Sequence, residues 1–233
     1  SEDAGYKLDN ATLDYLKQNG LSNKGIAIGY DTRFHSDKFA KLVATLASNS
    51  NFKTFLFDRP SPTPVLSHYV VSNHLDAGIM ITASHNPIEW NGIKFVRSDG
   101  TFFTSEDCQA LFDLVDNDNP IKDNKQPGMA FPDQNSILKH SIKTVELSCI
   151  NAKAIRDSKF KVVIDAVNGA GSSALPMLLE QLGCDVIKIL CEENGQFDRG
   201  TEPLPHHLDL LQKTVLENNA DVGFAVDPDA DRL

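Results

Sequence analysis

Ala77-Gly78-Ile79-Met80-Ile81-Thr82-Ala83-Ser84-His85-Asn86-Pro87 decides the reading of this 233-residue chain. Its first half is an apolar run of strand length. Its second half is a polar turn in which Asn86 tolerates unusual backbone angles and Pro87 fixes the exit. The pattern predicts a buried strand over 77–82 that delivers Ser84, exposed, onto a rigid base.

The same alternation continues on both sides. Upstream, the spacing predicts a short helix over 10–20, a strand over 25–31 and a helix over 34–50 carrying Phe39, Leu42, Val43 and Leu46. A strand over 54–57 and a helix over 64–73 with proline in its first turn follow. Downstream come a strand over 93–96, a turn at Ser98-Asp99-Gly100 and a helix over 106–115. The stretch 116–132 is polar, broken by Pro120, Pro127, Gly128 and Pro132, and reads as a linker. Beyond it the pattern repeats: helix 136–155, strand 161–165, helix 173–182, strand 185–190, helix 205–218 and strand 221–226. Alternating strands and helices predict an α/β fold in two successive domains, 1–132 and 133–233, with mixed, mostly parallel sheets.

Bulk properties narrow the function. The net charge is −10, from 32 acidic and 22 basic residues. That balance argues against a nucleic-acid surface, which needs clustered Lys and Arg. The longest apolar runs, of about five residues, fall far short of the roughly 20 that span a bilayer. Cys108, Cys149, Cys184 and Cys191 form no CxxC or Cys/His cluster, so zinc has little support and reduced thiols of a cytoplasmic protein are expected. The start carries no signal-peptide pattern.

Ligands of open α/β sheets bind beyond the carboxyl ends of strands, and two segments lie there. The first is the Ser84 turn. By itself, Ser84-His85 is compatible with an ordinary capped turn or with a Ser-His hydrolase, although the nucleophile elbow G-x-S-x-G is absent. The second is Asp227-Pro228-Asp229-Ala230-Asp231-Arg232. Three carboxylates on one loop repel unless a cation sits among them, and hard oxygen ligands favour Mg2+. An EF-hand is excluded, because its sixth position would be Arg232 and a strand precedes the loop. Arg232 adds a planar cation suited to phosphate oxygens. A weaker signal, Asn168-Gly169-Ala170-Gly171, reads as strand-to-helix packing more than as an anion site, since no P-loop lysine accompanies it.

Taken together, Thr82-Ala83-Ser84-His85-Asn86-Pro87, Asn91-Gly92-x-Lys94 and Asp227-x-Asp229-x-Asp231-Arg232 resemble the α-D-phosphohexomutase superfamily, which includes phosphoglucomutases, phosphomannomutases and phosphoglucosamine mutases. The resemblance covers the family's first domain and most of its second, with Ser84 and the aspartate loop about 140 residues apart. It implies that Ser84 is a catalytic phosphoserine and that Asp227, Asp229 and Asp231, with a phosphoserine oxygen, hold one Mg2+. It also implies that His85 and Lys94 contact phosphate and assist proton transfer, and that Arg232 flanks the metal loop. The reaction implied interconverts hexose 1-phosphate and 6-phosphate through a hexose 1,6-bisphosphate. The sugar is left open, with Thr82-Ala83 leaning towards a phosphogluco- or phosphomannomutase. The family's opening Gly/Arg strand and its third and fourth domains have no counterpart here. The chain is therefore expected to be part of such an enzyme and inactive alone; the alternative is a short non-catalytic sugar-phosphate or metal-binding module. Oligomeric state is not legible.

Overall fold

The structure, a computed structural model, describes residues 2–116 and 130–233. The first sheet has five strands: β1 (Ile26–Tyr30), β2 (Thr54–Phe57), β3 (Ala77–Ile81), β4 (Ile93–Arg97) and β5 (Ala130–Asp133), in the order β4-β3-β1-β2-β5. All neighbours run parallel except β3 and β4. The second sheet has β6 (Lys161–Asp165), β7 (Asp185–Ile189) and β8 (Val222–Ala225) in the parallel order β7-β6-β8. The first sheet is mixed and mostly parallel and the second is parallel, in keeping with the expected α/β class.

Strand alternation builds a core on each face of the first sheet, as the twofold side-chain period requires. Ile26, Ile28, Ile79 and Ile81 meet Leu13 and Leu16 of α1 (Glu2–Gln18), Val43 and Ala47 of α2 (Ser36–Asn49), and Leu111 of α4 (Ser105–Asp116). Ala27, Phe57 and Met80 face the other way, towards Val65, Leu66, Tyr69 and Val70 of α3 (Thr63–Ser72) and Ile137 of α5 (Ser136–Val145). That second core also takes in Ala174 of α7 (Gly171–Gln181), a helix of the second sheet. Between them lies α6 (Ala152–Ser158). The second sheet packs α7 on one face and α8 (Asp209–Glu217) on the other.

Three expectations need adjustment. The first helix begins at Glu2, not near Asn10. The single helix expected over 136–155 is two, α5 and α6. Turns at Leu147 and Ile150 break it, and the Asn151 side chain caps α6 by accepting from the Ala154 N–H at 3.0 Å. Of the expected linker, residues 117–129 lie outside the described residues. Residues 130–133 form β5, whose Asp133 pairs with Phe57, so the first sheet continues past Pro132. Proline is tolerated on such an edge strand.

The carboxyl ends of β1, β3, β6 and β8 lead into the same region. Ser84 follows β3, Asp31 and Arg33 follow β1, Val167 and Asn168 follow β6, and Asp227 follows β8.

Candidate active site between the two sheets

Ser84 sits in the left-handed region, with φ of 52°, and is buried rather than exposed as its turn position suggests, because the aspartate loop of the second sheet covers it. Such a backbone costs a non-glycine residue about 1–3 kcal/mol and persists only where its surroundings impose it. Two layers impose it here. The Thr82 hydroxyl accepts the Ser84 N–H at 2.9 Å and donates to Asp31 Oδ2 at 2.7 Å. Arg33, from the end of β1, donates to the carbonyls of Ser84, Asn86 (2.8 Å) and Pro87 (2.6 Å). Asp31 is buried and grips Arg33 Nε at 3.1 Å. Burial pushes the Asp31 carboxyl up, against the Thr82, Arg33 and Ser36 hydrogen bonds that pull it down.

The aspartate loop approaches from the second sheet. Ser84 Oγ donates to Asp227 Oδ2 at 3.1 Å and lies 3.4 Å from His85 Nδ1. Asp227 and Asp229 are fully buried and Asp231 is partly exposed. The three offer oxygens within 4.8 Å of one another. Burial, and then the neighbouring charges of Asp229 and Asp231, push the Asp227 carboxyl up to about 7. Lys94 Nζ bridges Asp229 Oδ2 and Asp231 Oδ2, both at 2.6 Å. Burial alone would lower the Lys94 pKa, but the two carboxylates outweigh it and the group is raised, so Lys94 stays protonated. The structure thus brings Ser84, His85, Lys94, Asp227, Asp229 and Asp231 together. The Arg232 guanidinium turns aside to Glu202 at 3.5 Å, while its backbone N–H braces Asp227 Oδ1 at 3.2 Å.

The loop is held from three sides. Arg199 pairs with buried Asp165 at 2.7 Å and donates to the Val226 carbonyl at 2.5 Å. The Thr63 hydroxyl, at the start of α3, donates to Asp229, and the Thr63 N–H donates to the Asp229 carbonyl at 2.9 Å. Gly169 lies so close to Pro228 that a Cβ there would meet the Pro228 carbonyl oxygen at 2.5 Å. The Ala170 N–H is spent on that same carbonyl at 2.7 Å. The Asn168–Gly171 segment is therefore scaffolding for the aspartate loop, consistent with the packing reading. Arg33, Asp31, Thr63, Arg199 and Asp165 escaped the sequence reading, as did Thr201, whose hydroxyl donates to the His85 carbonyl. Their one signal is shared: Asp31, Arg33 and Asp165 close or follow buried strands at the same sheet end.

The donor set suits a metal. Three carboxylates and a hydroxyl are all-oxygen ligands, the preference of Mg2+. Asp229 Oδ1 is buried without a hydrogen-bond partner, an orphan that a cation would satisfy. Three close acidic groups lacking a full positive complement also leave room for more charge than Lys94 supplies.

Fold and site define an α/β protein that presents a strained serine to a cluster of carboxylates across two sheets. The chain belongs to the phosphoglucomutase/phosphomannomutase family: residues 1–122 match its alpha/beta/alpha domain I and residues 138–233 its alpha/beta/alpha domain II. A phosphoglucosamine mutase of Caldicellulosiruptor saccharolyticus is 36% identical over 215 residues, covering 89% of this chain and 45% of that protein. One from Sulfurovum is 32% identical over 231 residues, covering 97% and 51%. A solved structure from Thermus thermophilus, described as that of a candidate phosphomannomutase, superposes with a TM-score of 0.85 at 27% identity, covering 98% of this chain and 51% of that one. The chain spans about half the length of these proteins. Among the described residues no helix is long and apolar enough to cross a membrane.

Proposed function

We propose that this chain carries the phosphoryl-transfer site of a phosphohexomutase, with domains over 1–132 and 133–233 that each contribute one side of it. The observation that carries the reading is the 3.1 Å contact of Ser84 Oγ with Asp227, inside a carboxylate cluster already closed by Lys94. Serine and aspartates come from different sheets, yet they meet in one polar cluster.

In this reading Ser84 carries a phosphoryl group. The P–O bond to Ser84 Oγ breaks as a bond forms to a hydroxyl of a hexose monophosphate. The resulting hexose 1,6-bisphosphate turns over and returns its other phosphoryl group to Ser84. Phosphoryl transfer is mostly a matter of positioning and charge neutralisation. Arg33 and Thr82 hold the serine turn, and Lys94, protonated, supplies a positive charge and a proton to a departing oxygen. His85 Nδ1, 3.4 Å from Ser84 Oγ, is placed to accept a proton. Asp227, Asp229 and Asp231 would hold Mg2+, which when bound neutralises charge on the transferring group. A Ser-His hydrolase is disfavoured, because among the described residues no carboxylate hydrogen-bonds the His85 ring. The substrate is a hexose phosphate; the relatives named above are phosphoglucosamine mutases, so glucosamine phosphate stands beside glucose and mannose phosphates.

The test is phosphate incorporation. Incubated with glucose 1,6-bisphosphate and Mg2+, the chain is expected to gain one phosphate on the peptide containing Ser84, and Ser84→Ala none. A folded, Mg2+-loaded chain that takes up no phosphate would contradict the reading, as would equal uptake by Ser84→Ala.

A further inference from the structure

We infer that Arg33 is the positioning residue of the serine turn: a buried guanidinium that fixes the left-handed backbone of Ser84 by collecting the turn's carbonyls. It is 2% exposed, although arginine is almost never fully buried without partners. Its Nε is used on Asp31. Nη2 donates to the carbonyls of Ser84 and Asn86, and Nη1 to those of Pro87 and, at 3.3 Å, Trp90. Four carbonyls of one turn thus converge on one planar cation. Removing the cation takes the side-chain partner from the buried Ser84 carbonyl and from the carbonyls of Asn86 and Trp90, while the Pro87 carbonyl keeps the Trp90 N–H at 3.1 Å.

Lysine cannot replace this group. An ammonium is a compact point charge, whereas the arginine fork reaches Asp31 and two pairs of carbonyls in fixed relative directions. The Asp31 carboxylate also ties the clamp to the serine itself, since it accepts from the Thr82 hydroxyl that in turn accepts the Ser84 N–H. The connection from β7 to α8 covers the clamp: the Phe197 ring lies 5.1 Å from the guanidinium. Burial lowers the Arg33 pKa, while the nearby carboxylates of Asp31, Asp229 and Asp227 raise it. The guanidinium therefore also balances the charge of the metal-loop aspartates without touching them. Its consequence for catalysis rests on the mutase reading; its geometry does not.

Nuclear magnetic resonance on the whole chain tests the geometry. In the wild type, long-range 15N–13C couplings across the hydrogen bonds should link the Arg33 side-chain nitrogens to the carbonyls of Ser84, Asn86 and Pro87. Ser84 Cα and Cβ shifts should be those of a left-handed residue. In Arg33→Lys the chain should stay folded by circular dichroism, while the Ser84 shifts move towards averaged values. Phosphate incorporation at Ser84 should fall about tenfold or more. Leu16→Ala, a cavity variant in the core beside the same sheet, should lower the melting temperature and leave the Ser84 shifts in place. The proposal is overturned if folded Arg33→Lys keeps both the shifts and the incorporation, or if Leu16→Ala moves the shifts equally. Should Arg33→Lys fail to fold, absence of the wild-type couplings overturns it and their presence supports it. A wild type that incorporates no phosphate sinks the mutase reading and leaves the spectroscopic test standing.

Discussion

Asp229 has one carboxylate oxygen committed to Lys94 and Thr63 and the other buried with no partner. Removing its charge should therefore hurt cation binding more than it hurts folding. Asp229→Asn is expected to weaken Mg2+ binding at least about tenfold by calorimetry; unchanged affinity would remove Asp229 from the ligand set. Asp227 adds a pH dependence with a definite sign. Its carboxyl is raised above the unfolded value to about 7, so without metal the folded state holds the extra proton. Its contribution to stability is then lost as pH rises from the ordinary carboxylate range through about 7. Mg2+ competes with that proton. The rise in melting temperature on adding Mg2+ should be larger at about pH 8 than at about pH 6, and an equal rise would show that Asp227 binds no metal. These residues were legible because each group is a short contiguous motif, the serine turn over 82–87 and the alternating carboxylates over 227–231. Arg33 was not, because its carbonyl partners lie more than fifty positions away and only the folded chain brings the four of them to it.

At the scale of elements, strands were the most readable features. Ile26–Tyr30, Thr54–Phe57 and Lys161–Asp165 are short apolar runs whose ends are set by polar or glycine residues, and they fall close to where the pattern puts them. The failures share a cause. Helices α5 and α6 were merged because the break at Leu147–Ile150 contains no glycine or proline, only a turn followed by an Asn151 cap. Strand β5 was hidden because Pro132 and its flanks read as linker, and its pairing with β2 is long-range. The connection from β6 to α7 makes its own prediction. With the Pro228 carbonyl 2.5 Å from where a Cβ would stand, Gly169→Ala must push the aspartate loop aside. A loss of roughly 1–3 kcal/mol by denaturant unfolding is expected, together with weaker Mg2+ binding. Full retention of both would mean that the loop tolerates displacement.

Across the whole molecule, two sheets share a core through α7 and a polar seam through their loops. Gly195, with φ of 70°, lies against the Thr32 carbonyl, where a Cβ would stand 2.2 Å from the oxygen. The Thr32 hydroxyl donates to the Asn168 carbonyl at 3.0 Å. Gly195→Ala should therefore loosen the seam and lower Mg2+ affinity, although it lies outside the cluster, because Ser84 and the aspartates belong to different sheets; calorimetry giving wild-type affinity would show the seam to be irrelevant to the site. The two-sheet class was readable from repeated alternation, whereas the seam was not, since it is made of loops with no period. That the two sheets build one metal-dependent site is the central claim. Anomalous scattering from crystals soaked in Mn2+, a stand-in for Mg2+ with the same oxygen preference, tests it most directly. One peak is expected among Asp227, Asp229 and Asp231, on the side facing Ser84 Oγ, with Lys94 displaced from its bridge. Crystals at saturating Mn2+ that show no peak there, with Lys94 still bridging Asp229 and Asp231, would contradict it.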